Sequence, residues 1–98
     1  MDTIYLLKDS IGYYKIGFTK KPIESRIKSL HTSCSEDLEV IFEFKTNHKR
    51  KLETSLHNLF KHRHVKREFY DLSEEDKDKF INLCKSLESA YTALNEKI

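Results

Sequence analysis

The sequence is poor in the residues that mark several common protein classes. It contains two cysteines, one proline, two glycines and no tryptophan in 98 residues. Cys34 and Cys84 are too few for a disulfide framework and lack Cys-x-x-Cys spacing, so we expect two ordinary reduced thiols. No Gly-x-Ser-x-Gly turn and no glycine-rich phosphate loop is present. These absences argue against disulfide-stabilised proteins, serine hydrolases and nucleotide-loop enzymes.

Long apolar runs are also missing. The longest cover only a few residues, which is too short to span a bilayer. The opening Met-Asp-Thr-Ile-Tyr lacks the basic and then apolar regions of a signal peptide. We therefore expect an intracellular protein, in the cytoplasm or in the nucleus of a eukaryotic host, without a membrane partner. With no repeat and few linker residues, the sequence predicts one domain over residues 1–98.

Positive charge is concentrated in the front of the chain. Residues 1–70 hold 14 lysines and arginines against 9 acids, whereas residues 71–98 hold 4 against 7. Such a distribution attracts phosphate backbones through charge and counterion release, although a merely solvated lysine-rich helix is the alternative. The basic residues that we predict to bind nucleic acid are Lys20, Lys49, Arg50, Lys61, Arg63, Lys66 and Arg67.

The first part of the chain has the pattern of a hairpin followed by a helix. Residues 3–7 and 13–19 are β-branched and aromatic runs separated by a loop with turn residues, which predicts two antiparallel strands. Pro22 suits the first turn of a helix that ends near residues 31–33.

The remainder alternates one strand with two helices. Strict alternation over residues 38–45 predicts a half-buried antiparallel strand, and apolar stripes predict helices over 49–62 and 74–94. Ser73 is a suitable N-cap for the last helix. Residues 68–70 are expected to form an extended return. The order β-β-α-β-α-(β)-α predicts an α+β fold, with a small three-stranded antiparallel sheet flanked by helices.

The period of a strand assigns side chains to faces. In the second strand, Lys15 and Gly17 share one face, while Tyr14 and Ile16 share the other and should meet the core. Tyr5 of the first strand is expected to lie with Lys15 on one polar face.

Five short motifs resemble those of the GIY-YIG nuclease superfamily. Thr3-Ile4-Tyr5 and Tyr14-Lys15-Ile16-Gly17 resemble its paired GIY and YIG strands, in the YKIG form of the phage and fungal meiotic-gene branch. Three later segments resemble that branch in the same order, and they are Pro22 to Leu30, Leu52 to His57 and Arg67 to Leu72. The resemblance covers residues 3–72.

The resemblance implies a small metal-dependent endonuclease. Tyr5 would act on the attacking water as general base, and Arg26 would bind the phosphate as negative charge builds on it. Glu53 would hold one Mg²⁺ or Mn²⁺, since hard cations take oxygen ligands. The products would carry a 5′-phosphate and a 3′-hydroxyl. These groups are expected to converge around one phosphorus atom, and Tyr5 and Glu53 on opposite surfaces would contradict that.

The resemblance implies three further catalytic candidates, which are Tyr14, Lys15 and His57. His57 lies one helical turn after Glu53 and is within reach of the same side. Arg67 stands where the closing motif of the family usually has glycine. Lys15 stands two residues before Gly17, where the family has its second tyrosine. That tyrosine is therefore either absent, or its function is taken over by Lys15, Tyr14 or Tyr13.

The expected function is phosphodiester hydrolysis in nucleic acid, with DNA favoured over RNA, in a viral or phage setting. No organic cofactor is expected, and the protein would act as a monomer that nicks or as a homodimer that cuts both strands. The competing hypothesis is a catalytically weak or inactive module that binds nucleic acid or a protein partner on the same fold. A third possibility is a fragment of a larger enzyme.

Overall fold

A computed structural model describes residues 2–26, 28 and 38–96. The strands are β1 (Asp2–Lys8), β2 (Tyr14–Thr19), β3 (Glu39–Thr46), β4 (His64–Lys66) and β5 (Phe69–Tyr70). The helices are α1 (23–26 and 28), α2 (Lys49–Leu59) and α3 (Glu74–Glu96), and Lys61–Arg63 form one turn of 3₁₀ helix. The predicted end of α1 near residues 31–33 lies outside the described residues, as does Cys34.

The sheet has five antiparallel strands in the order β3-β1-β2-β5-β4. The α+β class is confirmed, but the prediction of three strands was wrong. The hairpin of β4 and β5 has strands of only three and two residues, which are too short to show an alternating pattern. Residues 68–70, expected as an extended return, contain only the second of these strands.

Two strands and one helix differ in detail from the predicted pattern. A β-bulge in β3 breaks its alternation, because the neighbours Leu6 and Leu7 of β1 pair with Phe42 and Val40 and leave Ile41 as an extra residue. Val40, which the alternation groups with Phe42 and Phe44, is 37% exposed. Helix α2 ends at Leu59 rather than near His62, since the chain tightens into the 3₁₀ turn.

The two faces of the sheet carry separate apolar clusters. Helices α2 and α3 cover one face, and the buried members of that cluster include Ile4, Leu6, Tyr14, Ile16, Leu52, Leu56, Phe80 and Cys84. The other face carries a smaller cluster of Tyr5, Leu7 and Ile23, against which Leu38 packs. Burial raises the pKa of the Cys84 thiol to about 12, so this cysteine is an inert core residue. No helix in the described part of the chain is both long and apolar enough to cross a membrane.

A capping box begins α3 at the predicted N-cap. The Asp76 N–H donates to Ser73 Oγ, and the Ser73 N–H donates to Asp76 Oδ2, both at 3.1 Å. Arg63 Nε lies 3.2 Å from the same Asp76 oxygen and links the 3₁₀ turn to α3. The bond from the Ser73 backbone is the main reason that the pKa of Asp76 lies below its usual range.

This depressed pKa predicts a stability effect that depends on pH. A carboxylate with a lowered pKa stabilises the fold above its unfolded pKa of about 3.9, and that stability is lost as the pH falls through the folded value. At pH 7, Asp76→Asn should lower the free energy of unfolding by about 1 kcal/mol in urea titrations. The difference between the two proteins should shrink as the pH falls below that unfolded value. Glu75→Gln, at an exposed acid of the same turn, is the control and should change stability less.

Candidate active site

The Tyr5 ring lies across Gly17, its direct partner in the β1–β2 ladder. A Cβ atom built on Gly17 would stand 2.3 Å from Tyr5 Oη and 2.4 Å from Cζ, far inside van der Waals contact. Glycine is therefore required at this position because a phenol ring occupies the space of its side chain. The close approach explains physically why a tyrosine motif and a glycine motif face each other across the hairpin.

Arg26 contacts the same phenol from helix α1. Its Nε donates a hydrogen bond of 3.2 Å to Tyr5 Oη. That bond is the largest of the effects that raise the pKa of Arg26, with the charge of Glu68 a smaller one, so the guanidinium remains cationic. The structure thus brings together two of the predicted catalytic groups, which are separated by 21 residues in the chain.

An open cavity of about 390 Å³ lies beside Arg26. It is lined by Phe18, Thr19, Lys20, Lys21, Ser25 and Arg26. Three of these side chains are cationic, and a guanidinium can fork onto two phosphate oxygens. The cavity therefore has the charge that a phosphodiester needs.

Lys15 and Tyr14, two of the residues considered as replacements for the second family tyrosine, lie on opposite faces of β2. Tyr14 is buried in the cluster beneath α2 and α3. Lys15 lies on the face of Tyr5, as predicted, but this face is not polar: Tyr5 is 0% and Lys15 9% exposed. Segments far along the chain cover it, which an isolated hairpin pattern does not show. The Lys15 ammonium is 2.5 Å from Glu68 Oε2 and 5.3 Å from the centre of the Phe69 ring.

Glu53 and His57 approach from the other side of the sheet. Both are half-buried residues of α2, whose Leu52 and Leu56 pack into the cluster opposite Tyr5. The His57 ring stacks on Tyr70 at 6.1 Å, and its Nε2 atom is buried without a hydrogen-bond partner in the described part of the chain. The structure therefore does not place Glu53 or His57 on the face where Tyr5 meets Arg26.

The outer edge of β2 is where these two sets of groups can meet. Strand β5 pairs only with Tyr14 and Lys15, and Ile16 N–H donates to the Glu68 carbonyl. Among the described residues no strand pairs with 17–19 on that side. The Tyr5 ring reaches toward this edge over Gly17, and a side chain from α2 would have to reach around the same edge to join it.

The predicted nucleic-acid-binding residues fall into two groups at opposite ends of α2. A cavity of about 490 Å³ at its beginning is lined by Asp2, Lys20, Asn47, His48, Lys49, Arg50 and Lys51. The second group follows its end and comprises the exposed residues Lys61, Arg63, Lys66 and Arg67. Within it, Arg63 is already engaged by Asp76.

Two features of the β4–β5 turn go beyond the prediction of Arg67 as a nucleic-acid-binding residue. Arg67 has a φ of 51°, a left-handed conformation that favours glycine, which accounts for the glycine usual at this point of the family motif. Glu68, the next residue, pairs with Lys15. The acid of the closing motif was the available signal, but a contact across 53 residues is not visible in a local pattern.

The fit of a metal ion rests on Glu53. The described residues contain no group of three or more histidine, cysteine or acidic side chains that could enclose an ion. Mg²⁺ and Mn²⁺ do not need such a cage, since they are commonly held by one or two carboxylates, waters and substrate phosphates. The single carboxylate of Glu53 on a basic helix fits that mode of binding.

Comparison with known proteins gives one match. The family model described as the T5orf172 domain matches residues 2–85, from the start of β1 into α3. No curated protein and no solved structure matches the chain significantly. The matched region contains the whole sheet, the Tyr5–Arg26 contact and helix α2. The chain belongs to the T5orf172 domain family, a nuclease-like domain related to the GIY-YIG nucleases.

Proposed function

We propose that this protein is a metal-dependent endonuclease that hydrolyses phosphodiester bonds, with DNA favoured over RNA as the substrate. The observation that carries the proposal is the hydrogen bond from Arg26 Nε to Tyr5 Oη over Gly17. Packing of the core alone does not require an arginine to bind a strand tyrosine next to a cationic cavity. The YKIG form of the second motif supports placing the chain with the phage and fungal meiotic-gene proteins.

In the proposed reaction the chain supplies three functions at the edge of β2. Arg26 binds a non-bridging oxygen of the phosphodiester and stabilises the charge that builds there. Tyr5 orients the attacking water and, as phenolate, accepts its proton while the bond from phosphorus to the 3′ oxygen breaks. Glu53 would hold Mg²⁺ or Mn²⁺, and the bound ion would supply positive charge for the leaving oxygen. His57 is proposed to assist from the same helix, and Lys15 rather than Tyr14 to replace the second tyrosine.

The cleavage test uses labelled duplex, single-stranded and branched DNA together with an RNA of the same sequence. We expect cutting with Mg²⁺ or Mn²⁺, none with EDTA, and products that carry a 5′-phosphate. Glu53→Ala should abolish cutting, while Glu75→Ala in α3 should not. A Glu53→Ala protein that cuts at the rate of the parent would rule out the single-metal assignment.

One observation favours the second hypothesis, a binding module without catalysis. Tyr5 is fully buried, and Glu53 lies on a helix that packs against the opposite face. Such a protein would bind the labelled DNA in EDTA and would not cut it with either Mg²⁺ or Mn²⁺. The same assay therefore separates the two hypotheses.

The cavity at the start of α2 is proposed to bind the substrate backbone beyond the cut. Lys20 lines both this cavity and the one beside Arg26, so the two cavities adjoin at a cationic side chain. Helix α2 has no acid in its first turn and its N-cap residue His48 makes no capping bond from its side chain. Its positive end adds to the attraction for phosphate.

This backbone contact predicts a change in the salt dependence of binding. The double variant Lys49→Gln/Arg50→Gln removes two cations, so the slope of log affinity against log salt should fall by about 2, measured by fluorescence anisotropy in EDTA. Lys79→Gln/Lys85→Gln, at exposed positions of α3, makes the same charge change elsewhere. Equal slopes for the two double variants would show that the cavity does not bind the backbone.

A further inference from the structure

We propose that Glu68 is a positioning residue of this site, which holds the Lys15 ammonium beside Tyr5; the inference rests on the proposed nuclease function. Glu68 Oε2 lies 2.5 Å from Lys15 Nζ. The Lys15 side chain is 11% exposed, whereas the Glu68 side chain is 50% exposed. The carboxylate therefore closes a buried ammonium off from solvent at the edge of the sheet.

The sheet register places Lys15 on the same face of the sheet as the Tyr5 phenol. Lys15 and Gly17 point to the same face of β2, and Tyr5 lies across Gly17. Residues two apart on a strand are separated by roughly 7 Å along it. Lys15 and the Tyr5 ring therefore lie on the same covered face. The Glu68 carboxylate that binds the Lys15 ammonium also acts electrostatically on Arg26, the hydrogen-bond partner of Tyr5.

Three features of the surrounding chain fix the position of Glu68. Its carbonyl accepts a hydrogen bond of 3.2 Å from Ile16 N–H, one residue beyond the last β2–β5 pair. The left-handed conformation of Arg67 turns the chain immediately before it. Phe69, directly after it, pairs with Lys15 in the ladder and presents its ring to the ammonium. The side chain and the backbone of Glu68 thus bind adjacent residues of β2.

The presence of the Glu68 carboxylate requires an explanation, because it lies among cations that are proposed to bind phosphate. Its charge acts on Arg26 as well as on Lys15. A buried ammonium without a partner is costly, and one free to move would pair with a phosphate oxygen instead. Glu68 keeps Lys15 in place, so that its positive charge is directed at the Tyr5 oxygen, where negative charge appears during proton transfer.

The kinetic test is a double-mutant cycle on duplex DNA. Glu68→Gln and Lys15→Met should each lower kcat on the order of 10²-fold with KM unchanged, as expected for a misplaced catalytic group. Because Glu68 acts through Lys15, the double variant should be no slower than Lys15→Met alone. Glu68→Asp should recover part of the rate. Glu74→Gln removes the carboxylate from the exposed Glu74–Lys77 pair on α3 and should leave the rate unchanged.

A second measurement does not depend on activity. Acetylation by an amine-reactive ester, read by mass spectrometry, should modify Lys15 far more slowly than the exposed Lys85 in the parent protein. In Glu68→Gln the Lys15 rate should approach that of Lys85. A parent protein that cuts no substrate would refute the proposed function. If Lys15 were still protected from acetylation only when the Glu68 carboxylate is present, the positioning of Lys15 by Glu68 would stand.

Two outcomes would overturn the inference itself. In a parent that cuts DNA, equal protection of Lys15 with and without the Glu68 carboxylate would show that the ion pair does not position the lysine. Rate losses that multiply in the double variant would show that Glu68 acts independently of Lys15, for example as a ligand of the metal.

Discussion

Replacement of Arg26 by alanine should lower the rate of DNA cleavage by about 10³-fold at saturating substrate, without unfolding the protein. The loss follows from two functions of one side chain. Its guanidinium lies in the cationic cavity where the phosphate would bind, and its Nε fixes the Tyr5 oxygen at 3.2 Å. Removal of one preorganised donor to a developing oxyanion typically costs about 10²–10³-fold in kcat.

The measurement is single-turnover cleavage, which separates the chemical step from binding. Arg26→Lys keeps the charge but not the planar fork, and it should recover only part of the loss. Lys85→Ala, which removes a cation from an exposed position of α3, should cut at the parental rate. An Arg26→Ala protein with the parental rate would mean that the contact with Tyr5 serves only the packing of α1.

Gly17→Ala should be among the most damaging small substitutions in the chain. The added methyl group would stand 2.3 Å from Tyr5 Oη and 2.4 Å from Cζ, so either the ring or strand β2 must move. Overpacking of this kind costs about 1–3 kcal/mol of unfolding free energy. It should also abolish cleavage, because the displaced phenol loses its bond to Arg26. Urea denaturation and the cleavage assay measure the two effects.

The steric cause of that loss can be tested with a second substitution. Tyr5→Leu removes the distal part of the ring that the new methyl group would meet. The double variant Tyr5→Leu/Gly17→Ala should therefore be more stable than the sum of the two single losses predicts, while remaining inactive. Additive losses of stability would show that Gly17 is required for its backbone rather than for the space that it leaves.

Much of the scaffold of the site could be predicted because it follows from local periodicity. Alternation in the first hairpin assigned Tyr5, Lys15 and Gly17 to one face and Tyr14 to the other, and the register confirms this arrangement. The Ser73 cap is another local signal, and it is present in the structure.

Contacts between segments that are far apart in the sequence could not be predicted in the same way. Tyr5 was expected on a polar face, but Ile23 and Leu38 cover it, and no strand pattern encodes that cover. The pairing of Lys15 with Glu68 depends on a hairpin whose strands are too short to recognise. The T5orf172 family match adds the nuclease-like class but does not identify which side chains act.

The placement of Glu53 is the point on which the catalytic proposal depends most. The sequence predicts that it converges with Tyr5 and Arg26, whereas the structure carries it on a helix that covers the opposite face. Arg26 borders the outer edge of β2, where it shares a cavity with Phe18 and Thr19, and Glu53 would have to reach around that edge to join it. Convergence at this edge would require one ion to be bound by Glu53 and to lie close to Arg26.

Paramagnetic broadening by Mn²⁺ tests this requirement most directly. The Nε–H resonance of Arg26 should broaden as Mn²⁺ is titrated into the parent protein in the presence of a DNA oligonucleotide, and the broadening should disappear in Glu53→Ala. The backbone amide resonance of Lys85, at an exposed position of α3 outside the proposed site, serves as the internal reference. Broadening of Arg26 that is unchanged in Glu53→Ala, or Glu53-dependent broadening that never reaches Arg26, would contradict a shared site.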